Sequence, residues 1–364
     1  MIKRNFPKLT EKVSLLGFGG MRFPVSGGKI DYAATEKMIA RAYGNGVNYY
    51  DTAYFYHGGE SETVMGSILK AFKRNSFYFA DKMPGWLVQD VDGAERIFNE
   101  QLKRCKVDYF DFYLAHSLSA PNFEIYKKFL LEFLIKKKEK GLIRRLGFSF
   151  HDCTAALKPI LDYYPWDIVQ LQINYLDWTR QNAKGQYEAV TALGIPVVVM
   201  EPVRGGSLAV LEGTAADILK KAGPKKSIAS WAIRYAMSLP GVLTVLSGMS
   251  DIEQVADNLK TVKDFKPLTK AEYAAVNETV KEYLKKDIIP CTSCRYCMDC
   301  PEGIDIPWQF SLYNDFLIGN DRGLYDLRMR ETSSAPASSC AACNKCAEAC
   351  PQKINIPERL KGLG

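Results

Sequence analysis

The sequence predicts an α/β protein made of an eight-stranded parallel barrel followed by a small, mainly helical domain. Before position 290, short β-rich segments alternate with longer stretches of helical periodicity, and eight of the β-rich segments can be counted. Such alternation is typical of βα units arranged around a parallel sheet. Eight of the ten cysteines follow position 290, which marks a second domain. We therefore place the domains at residues 1–286 and 287–364.

The eight predicted strands are rich in β-branched and aromatic residues. In chain order they are LLGFGGM, VNYYDTA, FYFADKM, YFDFYLAH, IRRLGFSF, IVQLQINY, VVVMEP and LTVLSGM. The stretches between them have helical spacing, as in YAATEKMIARAYGNG with its closing glycine. This count matches a (β/α)₈ TIM barrel, which takes about 250 residues. An open doubly wound sheet is the alternative, but GFGG lacks the glycine spacing of the dinucleotide-binding loop of such a sheet.

Composition excludes several classes of protein. The 364 residues include 48 Lys and Arg against 41 Asp and Glu, a net charge of +7 with both signs interspersed. We therefore expect no nucleic-acid partner, because such proteins concentrate their basic residues in one patch. Apolar runs are too short for a membrane span, and the N-terminal segment lacks the apolar core of a signal peptide. We expect a cytoplasmic protein, whose cysteines serve another purpose than disulfides.

Four polar residues follow predicted strands, where barrel enzymes place their catalytic groups. Asp51 and Tyr56 follow the second strand, Lys82 ends the third and His116 ends the fourth. A phenol is a poor acid at neutral pH unless a cation stabilises its phenolate and a carboxylate holds that cation. Lys82 and Asp51 supply those groups for Tyr56. His116 would then polarise a carbonyl while Tyr56 donates a proton to its oxygen.

From about Val13 to Leu284 the chain resembles the aldo-keto reductase family, whose members share the D-x₄-Y pair, the lysine after the third strand and the histidine after the fourth. The resemblance implies a (β/α)₈ barrel that binds NADP(H) or NAD(H) without a Rossmann domain. It also implies reduction of an aldehyde or a ketone, or the reverse oxidation of an alcohol. Asp51, Tyr56, Lys82 and His116 would be the catalytic residues.

The resemblance further implies a set of cofactor-binding residues. Ser149 and Gln170 would contact the nicotinamide carboxamide, while two later segments would hold the pyrophosphate and the adenine end. The residues in those segments are Glu201, Arg204, Gly205, Ser247, Gly248, Met249, Gln254 and Asn258. The guanidinium of Arg204 matches phosphate geometry. The adenine segment carries Asp251 and no Lys or Arg to bind a 2′-phosphate, so the choice between NADPH and NADH stays open.

The two cysteine runs indicate a duplicated iron–sulfur motif. Each run is a C-x₂-C-x₂-C pattern closing with Cys-Pro, and the tails EGIDIP and QKINIP repeat one another. The spacing matches bacterial ferredoxins, in which the fourth cysteine of each run serves the other cluster. One [4Fe–4S] cluster would then take Cys291, Cys294, Cys297 and Cys350, and the other Cys340, Cys343, Cys346 and Cys300.

The first run departs from the ferredoxin pattern, since two residues rather than three separate Cys297 from Cys300. Two Cys₄ zinc sites are the competing interpretation, because they would use the same eight thiolates. Residues 306–331, between the runs, are predicted to be helical. The module thus resembles the helical ferredoxin domains appended to redox enzymes.

The leading hypothesis is an oxidoreductase that acts on a small carbonyl compound or alcohol. Its iron–sulfur clusters would either transfer electrons, with a redox partner protein, or support the structure. The alternative is an electron-transfer protein or regulatory subunit that uses the barrel as a cofactor-binding scaffold. Hydride transfer moves two electrons and each cluster moves one, so the sequence leaves the role of the clusters open.

Overall fold

The computed structural model describes residues 1–7, 9–285, 287–292, 294–319, 325, 329 and 334–363. The chain divides into two compact units. The first contains Met1–Pro202 and Ala232–Pro267, and the second contains Val203–Trp231 and Leu268–Gly364. The domain boundary at 286 and 287 stays a prediction.

Eight parallel strands close into a barrel in the first unit, so the predicted fold class is confirmed. The strands are β1 (Leu16–Gly19), β2 (Tyr49–Asp51), β3 (Tyr78–Met83), β4 (Phe110–Leu118), β5 (Ile143–Phe150), β6 (Ile168–Gln172), β7 (Val197–Met200) and β8 (Val242–Ser247). Each strand pairs with its neighbours in the sequence, and β8 pairs with β1. All carboxyl ends of the strands therefore meet at one end of the barrel, where this fold places active sites.

Helices connect the strands and continue into the second unit. They are α1 (Tyr32–Gly44), α2 (Glu60–Leu69), α3 (Val91–Cys105), α4 (Ala120–Ile125), α5 (Leu131–Glu139), α6 (Thr154–Tyr163), α7 (Asp177–Arg180), α8 (Ala183–Ala192), α9 (Gly213–Ala222), α10 (Ile228–Met237), α11 (Ile252–Lys263), α12 (Lys270–Tyr283), α13 (Ile306–Gly319), α14 (Lys345–Glu348) and α15 (Ile356–Lys361). No helix in the described ranges is long and apolar enough to cross a membrane.

Local sequence explains where the helix α3 begins and which face it buries. The carboxylate of Asp90 accepts a hydrogen bond of 2.7 Å from the Gly93 N–H and so satisfies a free amide of the first turn. Ala94, Ile97, Phe98, Gln101 and Cys105 are buried, and their spacing of three or four residues gives one continuous face.

The helix predicted after the fourth strand departs from a regular α-helix. Between α4 and α5 the turn Tyr126–Leu130 is π-helical. A π-turn widens the backbone and often lies near a functional site. Here it directs the buried Tyr126 side chain at the ends of β3 and β4.

An apolar cluster fills the barrel at the amino ends of its strands. It contains side chains from six strands together with Leu9 and Val13, which precede β1. Along three strands these apolar residues precede the polar ones, as Ala80 precedes Lys82, Leu114 precedes His116 and Ile168 precedes Gln170. The order of residues along these strands therefore places a hydrophobic core at one end of the barrel and a polar opening at the other.

The cysteine-rich part of the second unit has its own core. The two repeated tails contribute isoleucines to it, Ile304 and Ile306 from the first and Ile354 and Ile356 from the second. Burial of such side chains contributes about 1.5–3 kcal/mol each. The predicted helix over 306–331 is present from Ile306 to Gly319, and most of the remaining stretch lies outside the described residues.

Candidate active site

Asp51 and Lys82 form a buried ion pair where β2 and β3 end. The Lys82 Nζ donates to Asp51 Oδ1 at 2.6 Å and to the Thr52 carbonyl oxygen at 2.6 Å. Their side chains are 1% and 4% exposed. Burial raises the pKa of the Asp51 carboxyl, and the charge and hydrogen bond of Lys82 oppose that shift. Removal of either partner would leave the other charge buried and unpaired, which is strongly unfavourable. Each side chain therefore keeps the other in position.

Tyr56 lies on a sharp turn after β2, and its ring faces the ion pair. The Lys82 Nζ is 4.9 Å from the centroid of the Tyr56 ring. The turn requires left-handed backbone at His57, with φ +53°, and at Gly58, with φ +64°. His57 is held in this conformation because its Nε2 accepts a hydrogen bond of 3.1 Å from the Phe23 N–H.

His116 is buried at the end of β4 among aromatic rings. Its ring stacks on that of Phe55, with 5.3 Å between the ring centroids, and contacts that of Trp86, with 5.2 Å between the centroids. The Tyr56 ring meets it edge to face at a centroid distance of 6.2 Å. Burial, and then the positive charge of Lys82, lower the pKa of His116 well below its ordinary value. The imidazole is therefore neutral at neutral pH. Its Nδ1 has no hydrogen-bond partner among the described residues.

The four predicted catalytic residues thus lie together at one end of the barrel. Phe55, Trp86 and Tyr126 complete their surroundings, and the predicted site set contains none of the three. Phe55 adjoins Tyr56 in the sequence, but an adjacent aromatic residue does not reveal that it stacks on His116. Tyr126 comes from a helix rather than a strand end, so no rule of the barrel fold points to it.

Two predicted nicotinamide ligands lie side by side on β5 and β6. Ser149 pairs with Gln170 in the register of the two strands, and both side chains are buried. The Ser149 Oγ accepts a hydrogen bond of 2.7 Å from the Ser117 N–H. The Gln170 Oε1 is buried and has no hydrogen-bond partner in the described part of the chain. Such an unpaired acceptor fits the amide N–H of a nicotinamide carboxamide.

The predicted adenine segment lies at the end of β8 and the beginning of α11. The Asn258 Nδ2 donates to the Ser247 Oγ at 2.9 Å, and both side chains are buried. Asp251 caps α11 by accepting a hydrogen bond of 2.7 Å from the Gln254 N–H, and Gln254 Nε2 donates to the same carboxylate. Gly248 and Met249 lie in the same segment, and a side chain at position 248 would contact Arg22.

Glu201 has left-handed backbone with φ +54°. Its carboxylate pairs with Arg22 at 3.5 Å, and its carbonyl oxygen accepts from Asn174 Nδ2 at 3.1 Å. The sequence does not reveal the contact between Arg22 and Glu201, because Arg22 follows β1 and no sequence motif marks it. Glu201, Arg22 and Asn174 all belong to the first unit.

Arg204 and Gly205 belong to the second unit, where they lie against the first cysteine run. The Arg204 guanidinium is buried and donates to the Pro290 carbonyl oxygen at 2.9 Å. A Cβ atom at Gly205 would lie 2.4 Å from the Thr292 carbonyl oxygen, and Gly205 has φ +66°. Only glycine fits this position, because it lacks a Cβ and adopts left-handed backbone readily.

The cysteine thiols fall into two groups. Burial raises the pKa of Cys297, and so do its neighbours Cys294, Cys291 and Cys350. Burial also raises the pKa of Cys346, to which Cys340 and Cys300 contribute. The neighbours of Cys297 belong to the first predicted ligand set, and those of Cys346 belong to the second. Cys343 is exposed, and all ten cysteines are free of disulfide bonds.

A [4Fe–4S] cluster takes four thiolates, so each predicted ligand set has the number of donors that a cluster needs. The described residues contain no group of three His, Cys, Asp or Glu side chains that could hold a single metal ion. The assignment of each cysteine to a cluster stays a prediction.

Comparison with known proteins matches both parts of the chain. The model of the aldo/keto reductase family matches residues 15–281, and the model of the 4Fe-4S dicluster domain matches residues 290–355. The resemblance noted in the sequence is thereby confirmed.

Two curated relatives and one solved structure illustrate the likeness. L-galactose dehydrogenase from Arabidopsis thaliana is 24% identical over 295 residues, which cover 74% of this chain and 92% of that protein. NADH-specific methylglyoxal reductase from Escherichia coli is 25% identical over 279 residues, covering 65% and 85%. An aldo-keto reductase from Bacillus halodurans in its holo form has a TM-score of 0.65 at 23% identity, covering 77% of this chain and 96% of that one.

Proposed function

Because this chain belongs to the aldo/keto reductase family, we propose that it reduces an aldehyde or a ketone with NADPH or NADH, or oxidises the corresponding alcohol. The observation that carries the proposal is the position of Lys82, whose Nζ lies between the Asp51 carboxylate and the Tyr56 ring. A cation beside a phenol stabilises the phenolate and so favours release of the proton. Tyr56 would be the general acid that protonates the substrate oxygen.

Each neighbouring group has a role in this step. Lys82 stabilises the negative charge that develops on Tyr56 when its proton leaves, and Asp51 keeps the Lys82 side chain in place. His116 is neutral, so its ring can donate a hydrogen bond to the carbonyl oxygen without adding a charge. Phe55 and Trp86 pack against the ring of His116. A reduced nicotinamide, when bound, supplies the two electrons and the hydrogen that the carbonyl carbon gains.

The cofactor would lie across the carboxyl ends of several strands. The unpaired Gln170 Oε1 and the Ser149 Oγ would hold the carboxamide, and the segment from Ser247 to Asn258 would hold the adenine end. Asp251 caps α11 in the segment that would meet a 2′-phosphate, and its charge disfavours that group. We therefore expect NADH to be accepted, as the name of the Escherichia coli relative states for that enzyme.

The cysteine-rich region would hold two [4Fe–4S] clusters for electron transfer or structural support. The eight thiols of this region also favour a second function, that of an electron-transfer protein or regulatory subunit with the barrel as its cofactor-binding scaffold. The two functions differ in turnover. The enzyme reduces carbonyl compounds in steady state, whereas the scaffold binds the nicotinamide without doing so.

The test is steady-state turnover of a panel of carbonyl compounds, methylglyoxal included, with NADPH and with NADH. Tyr56→Phe should lower kcat by about 10²-fold or more while cofactor binding is retained. Tyr54→Phe is the matched control, since it removes a nearby phenol hydroxyl that donates instead to Glu100 at 2.8 Å. A Tyr56→Phe enzyme as active as the parent would exclude Tyr56 as the acid. A parent protein that binds NADPH but reduces none of the panel would favour the scaffold function.

A further inference from the structure

The ladder between the strands that carry Lys82 and His116 ends one residue after Lys82 and directly before His116. The last paired residues of β3 and β4 are Met83 and Ala115. Pro84 follows Met83 and has no N–H to donate. At this end of the ladder, the Met83 carbonyl oxygen and the His116 N–H share a further partner.

One side-chain hydroxyl supplies that partner. The Tyr126 Oη donates to the Met83 carbonyl oxygen at 2.7 Å and accepts from the His116 N–H at 3.1 Å. It also accepts from the Gly85 N–H at 3.1 Å. A hydroxyl has one donor and two acceptor sites, so all its hydrogen-bonding capacity is used. The Tyr126 hydroxyl thus joins the end of β3 to the end of β4.

The Tyr126 ring is fitted tightly into this position. It is 0% exposed, and a Cβ atom at Gly85 would lie 2.5 Å from it. Gly85 precedes Trp86, whose ring contacts that of His116. Tyr126 therefore contacts the backbone of His116 directly and borders the loop that packs on its ring. Burial raises the pKa of Tyr126, so the hydroxyl stays protonated across the working range of pH.

We propose that Tyr126 is a positioning residue, which fixes the imidazole of His116 relative to Lys82 by bridging the ends of β4 and β3. The inference depends on the proposed function, because it concerns where the carbonyl oxygen binds between His116 and Tyr56. Without the hydroxyl, the His116 N–H and the Met83 carbonyl either lose their partner or approach each other. Either change moves the His116 ring, and small displacements of catalytic groups lower the rate substantially.

The first test compares Tyr126→Phe with Tyr50→Phe. Tyr50 is also buried and its hydroxyl donates to the Val47 carbonyl oxygen at 3.1 Å, but that bond lies before β2 and away from the polar opening. Tyr126→Phe should lower kcat by about 10-fold or more, with the Kd for the nicotinamide within about 2-fold of the parent. Tyr50→Phe should keep the parent kcat. Parent-like kcat in Tyr126→Phe would overturn the proposal.

A double mutant separates positioning from general damage. If Tyr126 acts through His116, Tyr126→Phe should have no further effect on kcat in a His116→Ala background. A full additional loss in that background would overturn the proposal. Should Tyr126→Phe fail to fold, Gly85→Ala displaces the same ring with the hydroxyl retained. It must then show the same loss of kcat with cofactor binding intact, and a parent-like kcat would again count against the proposal.

A spectroscopic measurement works even if the parent reduces no carbonyl compound. The chain has three histidines, so selective isotope labelling and NMR resolve the signals of the His116 ring. The signals that disappear in His116→Ala are those of this ring. Tyr126→Phe should shift the His116 ring signals and leave those of His57 unchanged, whereas Tyr50→Phe should shift neither. Unchanged His116 signals would overturn the positioning role independently of turnover. Absence of turnover in a parent with shifted signals would refute only the proposed reaction.

Discussion

His116 is the residue whose chemical state depends most on its surroundings. A free imidazole is half-protonated near pH 6.5. In the fold, burial and the nearby Lys82 charge disfavour its protonated form, and Phe55 and Trp86 cover its ring. The sequence predicts a catalytic role for this histidine from its position but does not reveal its protonation. A neutral ring can act as a hydrogen-bond donor to the substrate. A protonated ring would be a second cation and would compete with Lys82 for Asp51.

We predict that this neutral state shows in the pH dependence of stability. Below about pH 6.5 the unfolded chain binds a proton at this residue while the folded chain does not. Stability from this residue is therefore present at neutral pH and is lost as the pH falls from 6.5 toward the lowered folded pKa. Urea titrations from about pH 7.5 to 5 should show a smaller loss in His116→Gln than in the parent. Equal losses would show that the folded ring is protonated like a free imidazole.

At the scale of elements, β3 has two polar faces because alternate residues point to opposite sides of a strand. Lys82 points toward Asp51, and Asp81 points toward the helices α2 and α3. There the Cys105 Sγ donates to Asp81 at 3.5 Å, and the Gln101 Nε2 donates both to Glu62 and to the Lys82 carbonyl oxygen at 3.0 Å. The helices thus hold the backbone of the strand that carries Lys82.

Both buried carboxyls of this layer have a raised pKa. Burial raises the pKa of Asp81 well above its usual range, and the charge of Glu62 adds to that shift. Burial raises the pKa of Glu62 as well, and hydrogen bonds from Arg104 and Gln101 oppose it. The pKa of Asp81 is therefore the more strongly raised of the two, and Glu62 pairs with Arg104 at 2.9 Å.

We predict opposite effects from two isosteric changes. Asp81→Asn mimics the protonated acid, so the variant should be more stable than the parent at pH 8. This difference should shrink toward pH 5, because a raised pKa costs stability as the pH rises above the unfolded value. Glu62→Gln removes the buried one of the two carboxylates that pair with Arg104, the other being that of Glu100, and should cost about 1–3 kcal/mol. Chemical denaturation at both pH values measures these changes, and a loss of stability in Asp81→Asn at pH 8 would place the proton elsewhere.

At the scale of the whole molecule, the second unit combines segments that are far apart in the sequence. Arg204 and Gly205 lie against Pro290 and Thr292, directly before and after the first cysteine of the first run. The isoleucines of both repeated tails enter one core with Cys346 and Cys350. The two cysteine runs therefore share one core, and the predicted crossed arrangement of ligands would couple them further.

We predict about eight iron and eight sulfide ions per chain in protein purified without oxygen. Cys340→Ala should lose about half of the iron, while Cys153→Ala, which changes an exposed cysteine of the first unit, should lose none. Removal of the iron should also disorder the cysteine-rich core, because the ligands of a metal site organise small domains. Iron analysis and circular dichroism measure both effects. Zinc, or about four iron ions in fully loaded protein, would contradict the two-cluster prediction.

The sequence by itself determined the strands, the helices and the residue types at the strand ends, because alternation, helical spacing and turn residues are local properties. From these it predicted the barrel, the positions of Asp51, Tyr56, Lys82 and His116, and the duplicated cysteine runs. Only the tertiary structure decided that Tyr126 bridges β3 and β4, and that His116 is neutral. These facts depend on packing between distant segments and on burial, which changes both the partners of a polar group and the free energy of its charged form.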